Sequence, residues 1–118
     1  MISRPWPTEL RVDPARTTLT VAFDSGAAFA LPAEYLRVES PSAEVQGHGA
    51  EQKTIVAGKR AVRIEALEPV GNYAVRIRFD DGHDTGLFSW DYLHELGADR
   101  KARWDAYLAA LKSRRLAR

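Results

Sequence analysis

An α+β domain is predicted: antiparallel hairpins or a meander of about five to six short strands, short covering helices and one longer C-terminal helix. Three observations carry this. Leu19, Val21 and Phe23 alternate with polar or small residues over Thr17–Phe23, and Val75, Ile77 and Phe79 do the same over Ala74–Phe79. That is the period of a half-buried strand. Asp24-Ser25-Gly26 and Asp80-Asp81-Gly82 follow those runs directly, and carboxylates with glycine suit a tight turn. Trp104, Tyr107, Leu108 and Leu111 then recur at i, i+3, i+4 and i+7, the apolar stripe of a helix.

Taken in order, residues Met1–Pro7 carry two prolines and read as a lead-in that cannot join a ladder, with Trp6 an anchor at the core edge. Glu9–Val12 is a short strand, Asp13–Arg16 a turn and Thr17–Phe23 a stronger strand. Ala27–Leu31 returns as a strand, and Pro32 opens a short helix to Arg37. The stretch from Glu39 to Lys53 reads as a long polar loop, a length that is usually functional. Val62, Ile64 and Ala66 define the next strand, with a bulge or strand end expected near Glu68-Pro69. Arg63 and Glu65 would then face Arg76 and Arg78 across the sheet. After Ala74–Phe79 and its turn, His83–Phe88 leads back. Ser89 should cap a helix over Trp90–Leu96, with Gly97 as its C′ residue. A second helix is expected over Asp99–Arg114.

An internal repeat accompanies this order. Each copy is a strand, an F-D-x-G turn, a return strand and a helix carrying Tyr-Leu: Tyr35-Leu36 in the first, Tyr92-Leu93 in the second.

The chain has 118 residues, a formal net charge of +1 and no cysteine. One domain is therefore expected over 1–118, with a core near 8–111, a lead-in over 1–7 and a basic tail over 112–118. Without cysteine there is no disulfide and no thiolate ligand or nucleophile. The first residues lack the apolar block of a secretory signal, no apolar run would span a bilayer, and a cytoplasmic location is the expectation. Seven basic residues lie between Arg100 and Arg118 against the single acid Asp105. They are read as a solvated helix end near the negative pole of the macrodipole, so no nucleic-acid or membrane partner is expected. No phosphate loop and no nucleophile elbow are present.

The stretches LRVESPSAEVQGHG and LEPVGNYAVRIRFDDGHDTGLFSWDYLHELG resemble the DUF971 family, similar to the N-terminal domain of γ-butyrobetaine hydroxylase-like proteins. The resemblance covers Leu10 to Leu111. In the hydroxylases such a domain precedes an iron/2-oxoglutarate oxygenase domain. In some plastid P-loop scaffold proteins for iron–sulfur clusters a similar domain is appended. The hydroxylase version carries zinc on three cysteines and one histidine, the cysteines in an L-R-x-x-C-x-C-x-x-C run. Laid on Leu36-Arg37, the cysteine positions become Ser40, Ser42 and Val45, and the histidine falls on His83. Hydroxyls and a valine cannot replace thiolates on zinc. The resemblance thus implies neither the structural zinc nor the oxygenase activity.

From the residues themselves, Asp80-Asp81-Gly82-His83-Asp84 is the only dense run of potential ligands. His83 is the candidate metal residue, with His48, Asp81 and Asp84 as possible helpers to a divalent metal. No cofactor is otherwise expected. Ser40, Ser42, Gln46 and His48 are candidate partner-binding residues, and His94 is read as helix packing. The expected function is a stand-alone accessory domain without catalysis of its own. It would bind a protein partner, with a link to metal or iron–sulfur metabolism suggested by the fused relatives. The alternative is a metal-binding domain reworked around His83.

Overall fold

The computed structural model describes residues 4–46 and 53–118. Along them run β1 (Pro7–Val12), β2 (Thr18–Phe23), β3 (Ala28–Pro32), α1 (Ala33–Val38), α2 (Ala43–Gln46), β4 (Ile64–Val70), β5 (Ala74–Phe79), β6 (Leu87–Ser89), α3 (Trp90–Ala98) and α4 (Arg100–Ser113). The strands form two antiparallel meanders, β1-β2-β3 and β4-β5-β6, so the α+β class holds. The alternating residues of the central strands β2 and β5 are buried, and they meet Leu31, Leu36, Phe88 and Leu93 in one core. Burying each such side chain contributes about 1.5–3 kcal/mol.

The two meanders are copies down to single hydrogen bonds. Gly26 N donates to Phe23 O at 3.0 Å and Phe23 N to Ala27 O at 2.8 Å; Gly82 N donates to Phe79 O at 3.2 Å and Phe79 N to His83 O at 3.0 Å. Gly26 and Gly82 have φ of 94° and 91°, a left-handed position that only glycine takes without strain. Bulges recur in matching places, one between Pro7 and Glu9 and one between Ile64 and Ala66. The helices are tied across the copies. Tyr35 Oη donates to Leu96 O and Tyr92 Oη to Glu39 O, both at 2.6 Å. Each tyrosine closes the far end of the other copy's helix.

This exchange explains Gly97. Expected to end α3 as a C′ residue, it lies inside that helix, which runs on to Ala98 and a cap at Asp99. A Cβ there would overlap the Phe29 ring of β3, so the residue is small for packing and not for a left-handed turn. The reciprocal contact sets Ser40, just past α1, against Gly86, where an added Cβ would overlap Ser40 Oγ.

Four further expectations shift. Pro7 joins the ladder after all, as the first residue of the edge strand β1, where a missing donor is tolerated. Trp6 is 50% exposed and does not anchor the core. β4 runs through Pro69 to Val70, again an edge strand, and its bulge lies earlier than expected. Glu65 and Glu68 meet Arg78 and Arg76 across this pair, at 3.1 and 2.9 Å. The basic tail is not a frayed end: Leu116 N bonds Leu111 O, Gly58 N donates to Ala117 O, and Arg118 pairs with Glu34.

Candidate functional site

His83 is the first residue after the β5 turn, and Ala27 holds that place in the other copy, so closing the turn does not require an imidazole. α1 ends at Val38, the chain turns at Glu39, where Ser40 N donates back to Arg37 O, and Ser42 O then accepts from Val45 N and Gln46 N to start α2. Gln46 Nε2 donates back to Ser40 O at 3.0 Å and holds this segment in shape. The segment lies on the hairpin, and the side chains converge there. Ser40 Oγ is 2.8 Å and Ser42 Oγ 3.3 Å from His83 Nε2, while Glu44 Oε2 is 3.1 Å from Nδ1. Thr85 Oγ1 donates to the other Glu44 oxygen at 3.1 Å.

The protonation follows from these partners. The Glu44 carboxylate only accepts, so Nδ1 carries the hydrogen and Nε2 accepts from the Ser40 hydroxyl. His83 is 5% exposed. Burial first, and then the charge of Arg37, push it below its usual 6.5, outweighing the opposite pull of Glu44 and Asp81. The imidazole is therefore neutral near pH 7.

Beside it, Asp81 Oδ2 takes Lys59 Nζ at 2.6 Å and Arg37 Nε at 2.8 Å, and Oδ1 accepts from His83 N at 3.1 Å. Burial alone would raise the Asp81 carboxyl; the bonds from Lys59, His83 N and Arg37 outweigh it and hold it at about 2. Asp81 is thus committed to two cations and a turn. Asp84 is exposed. Ser40 and Ser42 are buried, with hydroxyls turned to His83, and Gln46 is half-buried. His48 lies outside the described residues. His94 packs edge-on against Phe23 and Phe29, as expected of a packing residue.

The zinc site of the hydroxylase version sets the standard against which these donors are measured. Ser40, Ser42 and His83 do gather at one point, with Val45 buried beside them at 1% exposure. The donors are one imidazole and two neutral hydroxyls. Among the described residues no group of three or more His, Cys, Asp or Glu could hold a metal ion. The residues described here do not fit zinc. What stands in its place is a hydrogen-bonded staple.

Ser40, His83 and Glu44 also follow the order of a hydrolase triad. The exposure is inverted, however. Ser40 is 0% exposed, whereas the Glu44 side chain is 63% exposed. A nucleophile must face its substrate, and here the carboxylate faces water instead. Sequence reasoning does not single out Glu44, Arg37 or Thr85. The one signal for Glu44 is its place four residues after Ser40, inside the segment that the family motif covers.

The family's sequence profile for the N-terminal domain of γ-butyrobetaine hydroxylase-like proteins matches residues 10–94. The chain belongs to that family. Two solution NMR structures are 45% identical to it: one has a TM-score of 0.85 and covers 98% of this chain and 91% of its own, the other 0.84, 100% and 90%. A crystal structure of a DUF971-family protein of unknown function from Acidithiobacillus ferrooxidans is 39% identical, with a TM-score of 0.65, over 78% of this chain and 92% of that one. No curated protein matches. Among the described residues, no helix is long and apolar enough to cross a membrane.

Proposed function

We propose that this γ-butyrobetaine hydroxylase-like N-terminal domain is an accessory module that docks to a protein partner and has no catalysis of its own. The observation that carries the reading is the inverted Ser40–His83–Glu44 staple. It locks the α1–α2 connection onto the β5 hairpin and buries Ser40, the hydroxyl set closest to His83 Nε2. The outer rim is polar, with Glu44, Asp84 and Thr85 exposed and Thr85 Oγ1 bonded to Glu44. A polar, exposed rim beside an anchored segment suits recognition through complementary charge and hydrogen bonds. The family's habit of travelling beside oxygenase or iron–sulfur scaffold domains supports a partner in metal or iron–sulfur metabolism.

The test is affinity purification from the native cell, comparing the wild type with Asp84→Arg/Thr85→Arg, which alters the rim and leaves Ser40 and His83 in place. A partner captured by the wild type and lost with the variant is expected; identical partner lists would overturn the surface. A metal at His83 would have to draw ligands from outside the described residues. The unfolding midpoint is therefore expected to be insensitive to a chelator, measured by thermal melts with and without it, and a fall that His83→Ala abolishes would restore the metal reading.

A further inference from the structure

A cavity of about 530 Å³ opens between the first turn of α1 and the α3–α4 junction. Its inner polar group is Glu34, whose side chain is only 8% exposed. Both Glu34 oxygens are taken by one guanidinium: Arg118 Nη2 lies 2.8 Å from Oε1 and Arg118 Nε 3.1 Å from Oε2. Two parallel bonds of this kind read the planar fork of a guanidinium, which an ammonium cannot reproduce. The guanidinium carbon also stands 5.4 Å from the centroid of the Trp104 ring, within cation–π range. Trp104 is fixed in turn by Tyr35 and Tyr107, with ring centroids 6.2 and 5.1 Å away. Arg100 and Lys101 also line the mouth but are engaged, Arg100 with Ala30 O at 2.7 Å and Lys101 with Asp105 at 2.8 Å.

The carboxylate and the ring sit on α1 and α4, whereas the occupant sits on the segment beyond the end of α4. After α4 the chain reverses through a Schellman motif, Arg115 N to Lys112 O at 3.1 Å and Leu116 N to Leu111 O at 2.9 Å. The residue in the left-handed position is Arg115, with φ of 55°, where a non-glycine residue costs about 1 kcal/mol. Beyond it, Gly58 N donates to Ala117 O at 3.0 Å, and Leu116 stays 44% exposed. A buried carboxylate stripped of its cation is costly, so whatever displaces Arg118 must bring a cation of the same shape.

We propose that Glu34 and Trp104 form a guanidinium-binding site, filled in the free chain by Arg118 and open to an arginine side chain of a protein partner when that segment lifts. The pocket stands on its own geometry; only the carrier of the ligand, a protein, rests on the docking reading above.

The test is N-acetyl-argininamide titrated into the 118-residue chain carrying Arg118→Ala, followed by the indole N–H signal of Trp104 in nitrogen–proton NMR, with Trp6 and Trp90 as internal references. A saturable Trp104 shift is expected in the variant, with about tenfold weaker apparent affinity in the wild type, where the tethered Arg118 competes. N-acetyl-lysinamide should bind more weakly, and Glu34→Gln/Arg118→Ala should show no saturable shift. Arg118→Gln serves as the second variant if the alanine form does not fold. An unmoved Trp104 signal in a folded variant, or an equal response without Glu34, overturns the proposal. So does failure of both variants to fold, which would make Arg118 a structural staple. None of these outcomes touches the Asp84–Thr85 rim, which partner capture reads separately.

Discussion

The turn after β5 closes with the same two backbone bonds as the turn after β2, yet His83 follows one and Ala27 the other. The imidazole is therefore an addition to the fold, and its energetics can be probed without breaking the turn. Ser40→Ala should cost only about 1 kcal/mol, because Ser42 Oγ at 3.3 Å can take over as donor to Nε2. Ser40→Ala/Ser42→Ala leaves that buried nitrogen with no donor and should cost about 2–3 kcal/mol by urea denaturation. An additive, small double effect would show that Nε2 is not held as described. The pH dependence has a definite sign. His83 is pushed below its usual 6.5 in the folded state, so the unfolded chain binds more protons. Its contribution to stability is complete above about pH 6.5 and is lost as pH falls through the lowered folded value. Urea midpoints of the wild type should drop on acidification across that window, and His83→Gln should flatten the drop. A parallel fall in both would assign the effect to other groups.

Elements meet here through glycine. Inside α3, Gly97 is unfavourable for the helix by about 1 kcal/mol relative to alanine, and propensity alone would favour the substitution. Contact with Phe29 reverses that sign. Gly97→Ala should destabilise by about 1–3 kcal/mol, because the new methyl group must displace a ring packed against Phe23 and His94. A thermal melt at or above the wild-type midpoint would mean that α3 slides freely over β3. The helix starts follow local chemistry more closely. Ser89 Oγ accepts from Tyr92 N at 3.1 Å, the cap that the sequence predicts for α3, whereas Pro32 caps α1 without a side-chain bond.

At the scale of the molecule, two β-β-β-α copies exchange helix ends. Tyr35 reaches Leu96 O and Tyr92 reaches Glu39 O, and burial comes first in raising both phenols, Tyr92 to about 12. Tyr35→Phe and Tyr92→Phe should each cost about 1 kcal/mol, since each leaves a carbonyl without its donor. Similar losses in chemical denaturation are expected from the two, and a large loss from only one would deny the equivalence of the copies. The copies differ in what fills the exchanged contact. Phe29 lies against Gly97 on one side, while Gly86 lies against Ser40 on the other, where the small residue leaves room for Ser42, His83 and Glu44. The polar cluster thus forms at this one of the two exchanged contacts, between the segment after α1 and the β5 hairpin.

The strands, their turns, the Ser89 cap, the C-terminal helix and the family were legible in the sequence, because each depends on residues close in the chain. Leu19, Val21 and Phe23 announce a strand by their period, and Gly26 and Gly82 announce turns by the φ they must adopt. The repeat was visible too, in the matching F-D-x-G turns and Tyr-Leu pairs. What only the tertiary structure decided was how distant groups meet: Ser40 and Glu44 with His83, Arg118 with Glu34, Phe29 with Gly97. The partners in these contacts are separated by 39 to 84 residues where hydrogen bonds join them. Local periodicity cannot tell which face of which copy a serine or an arginine will reach, since that depends on the exchange of helices between the copies. His83 itself was picked out by its neighbours in the chain. Its role as the centre of a buried staple, without zinc's ligands among the described residues and with Ser40 and Ser42 both buried, was set by packing.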